Sequence, residues 1–269
     1  MPCLDVRDGR VVKGVRFRGL RDAGDPAVLA AAYAGAAADE LVLLDVSATP
    51  EGRATAVRTV REVRRVLPLP LTVGGGVRSV DDAVRLLDAG ADKVAVNTAA
   101  VENPELLTAL AARCGRQCVV VAVDAARGGD LTARPPSRAH RHAVTSPRAG
   151  QKDGRGWKVV VRSGRRRLDL DAVAWCRRAV EAGAGEILLT SWDRDGTGDG
   201  YDSELIAAVR AEVEVSIVAS GGAGRAEHLA AAVAAGADAV LLASRLHLGE
   251  LSIAELKAFL FHRGFEVRS

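Results

Sequence analysis

A stretch of 27 residues occurs twice in this 269-residue chain. TVGGGVRSVDDAVRLLDAGADKVAVNT (72–98) lies on VASGGAGRAEHLAAAVAAGADAVLLAS (218–244) without a gap when 146 is added to each number. Gly75 then meets Gly221, Gly76 meets Gly222, Gly90 meets Gly236, Asp92 meets Asp238 and Val94 meets Val240. The same offset carries ELVLLD (40–45) onto EILLTS (186–191). Two halves that share a pattern over this length share an architecture, so the repeat governs every later reading.

Short apolar runs alternate with helical patterns along the whole chain. The runs are 2–6, 40–45, 69–73, 93–97, 118–124, 186–191, 216–220 and 239–244. Helical spacing marks 25–37, 55–67, 104–114, 168–183, 203–213, 226–236 and 253–264. Near-continuous apolar strands belong to parallel sheets buried on both faces. Eight such strands with helices between them predict an α/β fold, a (β/α)8 TIM barrel. The offset makes it two half-barrels, and the whole of 1–269 reads as one domain. An open sheet would need edge strands with polar alternation, and none stands out.

Strand one should match strand five, and Asp5 does have a partner in Asp124. They stand 119 apart, however, 27 short of the offset. The difference sits in RGGDLTARPPSRAHRHAVTSPRAGQKDGRG (127–156), too polar to bury a core and therefore expected as a disordered insertion. WKVVVRSGRRR (157–167) is expected to fold back as a hairpin above the barrel mouth. The net charge of +3 is small, and a nucleic-acid partner would need a concentrated basic face. The basic residues cluster once, between about 127 and 167, where a solvated insertion is the reading preferred over a polyanion site. No apolar run is long enough for a membrane span, and MPCLDVRDGR lacks the design of a signal peptide. Cys3, Cys114, Cys118 and Cys176 show no CxxC pair, as expected of thiols in a reducing cytoplasm. His140 and His142 lack a third ligand, so no metal is expected. Nor is there a HExxH, GxSxG, P-loop or GxGxxG pattern, so no cofactor is expected either.

Barrel active sites lie at the C-terminal ends of the strands. Gly74-Gly75-Gly76 follows strand three and Asn97-Thr98 ends strand four; Gly221-Gly222 follows strand seven and Ala243-Ser244 ends strand eight. Glycine lets backbone approach an oxyanion, and loops after strands seven and eight commonly cradle phosphate. One such site alone could equally be a set of tight βα turns. Two matched sites point to a substrate with a phosphate at each end. Asp5 and Asp124 close opposite strands, and facing carboxylates suit acid–base chemistry. Lys13 sits in DGRVVKGVRFRGLRDAGD (8–25), which reads as a long mobile lid loop offering a cation. Asp193 and Asp195 add acidic groups after strand six.

These residues resemble the cyclase subunit of imidazole glycerol phosphate synthase, from histidine biosynthesis. The resemblance rests on CLDVRDGRVVKG, LRDAGDP, DELVLLD, VGGGVRS, ADKVAVNTAAVENP, VVVAVDA, GAGEILLTSWDRDGTGDGYD and ASGGAG, and it covers nearly all of the chain outside the insertion. It implies a lyase that converts ammonia and a bisphosphorylated ribulosyl-formimino aminoimidazole carboxamide ribotide into imidazole glycerol phosphate and aminoimidazole carboxamide ribotide. By the same resemblance Asp5 and Asp124 are the acid–base pair and Lys13 the lid lysine. Gly76, Asn97 and Thr98 hold one phosphate; Asp195, Gly196, Gly222, Ala243 and Ser244 line the other. The family takes ammonia from a glutaminase subunit docked on the N-terminal face of the barrel, where Glu40, Lys93 and Glu186 form a charged entrance. The sister phosphoribosyl-formimino isomerase shares the aspartates and phosphate sites but lacks the KG…LRDAGDP and NTAAVENP phrases. A barrel kept as a non-catalytic scaffold is the reading from another class. Two departures stand out: Leu168-Asp169 replaces the family's Thr-Gly, and the residues that usually precede PCLDV, an arginine among them, are missing. The second predicts a native start upstream of Met1.

Overall fold

The computed structural model describes residues 1–15, 18–48, 57–128 and 156–268, with the backbone alone for 13–15 and 18–21. The core of the insertion, 129–155, therefore lies outside the described residues, His140 and His142 with it.

The strands are β1 (Cys3–Arg7), β2 (Arg10–Val15), β3 (Arg18–Gly24), β4 (Leu41–Asp45), β5 (Leu71–Gly74) and β6 (Lys93–Val96). They continue as β7 (Val119–Arg127), β8 (Trp157–Val161), β9 (Arg166–Asp171), β10 (Glu186–Ser191), β11 (Ser216–Ser220) and β12 (Ala239–Val240). Eight of them run parallel in the order β1-β4-β5-β6-β7-β10-β11-β12. The ends of this path meet: Cys3 N–H donates to the Leu242 carbonyl at 2.9 Å, and Leu242 N–H donates to the Met1 carbonyl at 3.0 Å. The sheet thus closes into the (β/α)8 barrel that the eight apolar runs require. Three strands separate β1 from β7 in either direction, so their ends face each other across the mouth.

Both faces of the sheet are apolar because each has a core to meet. Cys3, Val42, Ala95, Val120, Leu188, Val218 and Leu241 form one buried cluster inside the barrel. Their chain neighbours Leu4, Leu41, Leu43, Val94, Val119, Val121, Ile187, Leu189 and Ile217 belong to the larger cluster under the helices. Alternation between two cores, rather than between core and water, yields the continuous apolar runs.

Ten α-helices stand among the described residues, two of them short ones at the barrel mouth. They are α1 (Pro26–Gly35), α2 (Val57–Arg64), α3 (Val80–Asp88), α4 (Thr98–Glu102) and α5 (Glu105–Cys114), then α6 (Ala172–Glu181), α7 (Ser203–Arg210), α8 (Ala226–Ala234), α9 (Ser244–His247) and α10 (Ile253–His262). Helices α3 and α8 coincide under the offset of 146. So does the joint that docks each one. Arg64 donates from Nε to the Gly90 carbonyl at 2.7 Å, and its repeat mate Arg210 donates to the Gly236 carbonyl at 2.9 Å. Asp92 accepts from Arg64 and from Leu71 N–H; Asp238 accepts from Arg210 and from Ile217 N–H. The repeated glycine and aspartate of the AGAD phrase are therefore parts of a structural clamp.

Three expectations need correction. Among the described residues of 8–25, those of β2 and β3 form an antiparallel hairpin rather than a loop, laid antiparallel on the end of β1. Asp8 and Gly9 both have positive φ (52° and 74°) between the pairs Arg7–Arg10 and Val6–Val11, a two-residue turn of the type that Asp-Gly favours. The many charges of that stretch masked its strand pattern. Residues 168–171, expected to start a helix, complete β9, which pairs with β8 over Val160–Arg167 and Lys158–Asp171; the helix begins only after Asp171, whose carboxylate accepts from Ala174 N–H. The eighth run is regular strand only over Ala239–Val240, with one further bridge at Leu242, and 244–247 turn into α9.

Candidate active site

The two hairpins sit on opposite strands. Just as β2–β3 extends β1, β8–β9 extends β7, with Asp124 opposite Val160 and Arg127 opposite Trp157. The expected fold-back of 157–167 over the mouth is therefore present. Its turn is tied down: Arg162 N–H donates to Thr98 Oγ1 at 3.0 Å, and the Ser163 hydroxyl lies 3.4 Å from the Val46 carbonyl. The stem of the insertion is anchored as well. Asp193 accepts from Arg127 N–H at 2.7 Å, and Trp157 Nε1 donates to Asp202 at 2.9 Å.

Between the strand ends and this hairpin lies a cavity of about 930 Å³. Asp5 and Asp124 line it, as do Gly76, Asn97 and Thr98 on one side and Asp195, Gly196, Gly222, Ala243 and Ser244 on the other. The Lys13 side chain lies outside the described residues. Leu168 and Asp169 are not among the lining residues; Asp169 is exposed and accepts from Lys158 Nζ at 2.6 Å.

The glycines at the two ends of the cavity are required by close packing of backbone on backbone. A Cβ on Gly75 would stand 2.1 Å from the Asp45 carbonyl oxygen, and one on its mate Gly221 2.7 Å from that of Ser191, which is itself the mate of Asp45. A Cβ on Gly222 would stand 2.2 Å from the Gly200 carbonyl oxygen. The turns that follow are matched too. Asn97 adopts φ −118°, ψ −91° before α4, and its mate Ala243 φ −129°, ψ −82° before α9. Each end thus presents a glycine turn and the opening N–H groups of a short helix, groups that have no carbonyl to bond within the helix. These two short helices escaped sequence reasoning because each is too brief for an apolar period to register. A cationic wall was missed as well: Arg162, Arg165 and Arg166 line the cavity from the hairpin turn. The run RSGRRR was its signal.

Asp124 is electrostatically distinct. Burial pushes its carboxyl up to about 7, and the nearby Asp195 carboxylate adds to the rise. Hydrogen bonds from Asn97, at 3.0 Å, and from Thr190 oppose it. Such a group exchanges a proton readily near neutral pH. Across the cavity the Cys3 thiol lies 3.7 Å from Asp5 Oδ1. Among the described residues no group of three or more His, Cys, Asp and Glu side chains could hold a metal ion.

At the opposite end of the barrel, Lys93 at the start of β6 donates to Glu40 at 3.0 Å and to Glu186 at 2.8 Å. Burial works against the Lys93 charge, but the hydrogen bonds and charges of Glu186 and Glu40 outweigh it and raise its pKa. Glu186 is also shifted upward, by burial above all, with Lys93 opposing and Glu40 adding to the shift. The three residues expected together at the strand starts are in contact.

The family described as "Histidine biosynthesis protein" matches residues 1–252. The chain is 53% identical over 270 residues to the imidazole glycerol phosphate synthase subunit HisF of Methanopyrus kandleri, covering 100% of this chain and 97% of that one. It is 54% identical over 268 residues to the protein of the same name from Mycobacteroides abscessus, covering 99% of this chain and 96% of that one. For that of Mycobacterium tuberculosis the identity is 52% over 268 residues, covering 100% and 94%.

Proposed function

Because this chain belongs to the histidine biosynthesis protein family and resembles HisF subunits along its full length, we propose that it is the cyclase subunit of an imidazole glycerol phosphate synthase. In this reading it is a lyase that joins ammonia to a bisphosphorylated ribulosyl-formimino aminoimidazole carboxamide ribotide. The products are imidazole glycerol phosphate and aminoimidazole carboxamide ribotide.

The observation that carries the chemistry is the placement of Asp5 and Asp124 on opposing strands of one cavity, between two repeat-related glycine turns. The turns take one phosphate each, Gly76, Asn97 and Thr98 at one end and Asp195, Gly196, Gly222, Ala243 and Ser244 at the other. The substrate then spans the mouth, and its reacting centre falls between the carboxyls. Ring formation requires protons to leave the incoming nitrogen and to reach departing oxygen and nitrogen atoms. A carboxyl near pH 7 on one side and a second carboxyl on the other can hold and return those protons without a metal. Arg162, Arg165 and Arg166 offset the negative charge of the phosphates, and the family resemblance adds Lys13 as the lid lysine.

The partner in this reading is a glutaminase, docked on the strand-start face where Glu40, Lys93 and Glu186 meet. The term "subunit" in the relatives' names supports an assembly. The test is turnover of the bisphosphorylated ribotide with added ammonia, run beside the sister isomerisation. Both products should appear only with ammonia. Isomerisation without ring formation would assign the chain to the sister reaction, and no turnover of either kind would favour a scaffold role.

A further inference from the structure

The seam at which the barrel closes is completed by a side chain. In a parallel ladder the bonds are evenly spaced, so a residue that donates its N–H to one carbonyl receives, on its own carbonyl, the N–H two residues further along the neighbouring strand. Cys3 donates to Leu242, and the ladder would next bring Ser244 N–H to the Cys3 carbonyl. The chain instead turns at Ala243 into α9, and Ser244 goes to the wall of the cavity. His247, at the end of α9, fills the place: its Nε2 lies 3.1 Å from the Cys3 carbonyl oxygen. A carbonyl only accepts, so Nε2 carries the proton and Nδ1 is left to accept from the Tyr33 hydroxyl of α1, with which it is in hydrogen-bond contact. One imidazole thereby joins α1, α9 and β1, two residues from Asp5. The other half-barrel has no equivalent, because the repeat mate of His247 is Val101.

We propose that His247 is a positioning residue of this site. Its Nε2–H replaces the ladder bond that Ser244 gives up, and so holds the Ala243–Ser244 wall in register with the strand that carries Asp5. The choice of substrate for the test rests on the cyclase reading; the positioning role does not.

The test compares His247→Leu, His247→Gln and His247→Asn. Glutamine carries its amide nitrogen as far along the side chain as Nε2, whereas asparagine stops at the level of Nδ1. With ammonia and the bisphosphorylated ribotide, Leu and Asn should raise KM at least about tenfold, the scale of losing one hydrogen bond to a buried carbonyl, and lower kcat by less. Gln should stay within about threefold of wild type, and should it do so while Asn does not, N–H donation at that atom is the cause. Should the Leu variant not fold, the Gln–Asn pair decides alone. Equal KM for Gln and Asn, at wild-type level or equally impaired, overturns the proposal. Absence of wild-type turnover would count against the cyclase reading instead, and calorimetric binding of inorganic phosphate then replaces KM with the same expected order. Phosphate binding that is alike in all variants, or missing in the wild type, overturns the proposal on that arm.

Discussion

Asn97, the last residue before α4, donates its Nδ2–H to Oδ2 of Asp124 at 3.0 Å. One residue thus belongs both to a glycine-flanked end of the cavity and to the carboxyl that burial holds near pH 7. A hydrogen bond to a carboxylate favours its charged form. Asn97→Ala should therefore move the Asp124 midpoint further up from about 7. Carbon-detected NMR of labelled aspartate across pH 5–9 (a range of about four units around the expected midpoint) would read the shift. A fall in the midpoint would contradict this account of the site.

The same carboxyl makes stability depend on pH, and the sign follows from the direction of its shift. Its folded pKa is raised from 3.8 to about 7, so the folded chain binds the proton more tightly than the unfolded one. The contribution is fully present below the unfolded value and is lost as pH rises through the folded one. Asp124→Asn, which mimics the protonated form, should match wild type in stability near pH 4 and exceed it increasingly up to about pH 8, by at most about 4 kcal/mol. Urea unfolding of both proteins at the two pH values measures the difference. An Asn variant less stable at the higher pH would refute the burial argument.

The repeated clamp predicts paired costs. Gly90 and Gly236 have φ of 111° and 107°, and an added Cβ would stand 2.5 Å from Arg64 Cγ and 2.7 Å from Arg210 Cγ. Each Gly→Ala change should displace its arginine and destabilise the fold by about 1–3 kcal/mol, through backbone strain and lost hydrogen bonds. Thermal melts should show nearly equal losses for the two, and additive losses in the double variant because the clamps share no partner.

At the strand-start face, Lys93→Met leaves Glu40 and Glu186 facing each other. Their side chains are 17% and 12% exposed, so the uncompensated charges are only partly hydrated. Arg268, 3.9 Å from Glu40, answers one of them weakly. A loss of about 1–3 kcal/mol is expected, below the range for a fully buried pair. Adding Glu40→Gln and Glu186→Gln to Lys93→Met should recover most of it, as denaturant midpoints would show.

The barrel was legible because its strands lie between two apolar cores, and this leaves near-continuous apolar runs that periodicity can find. The cavity ends were legible because the repeat placed Gly76 with Gly222 and Asn97 with Ala243. What escaped was structure whose cause lies elsewhere in the chain. Strands β2 and β3 form because they extend β1, not because their own residues alternate, although Asp8-Gly9 announced the turn from β1 into β2. Residues 168–171 read as helix until β8 offers them a partner. The role of Gly90 as a contact for Arg64 depends on a side chain 26 residues away, and no local pattern reveals it.

The most direct test of the account is the ammonia-driven turnover of Asp5→Asn and Asp124→Asn beside wild type, with imidazole glycerol phosphate and aminoimidazole carboxamide ribotide quantified by mass spectrometry. Two opposed acid–base carboxyls predict that each variant loses at least about a hundredfold in kcat while KM changes far less, because the phosphate-binding ends remain. Near-normal turnover by either variant would contradict the claim that these two strand ends carry the chemistry.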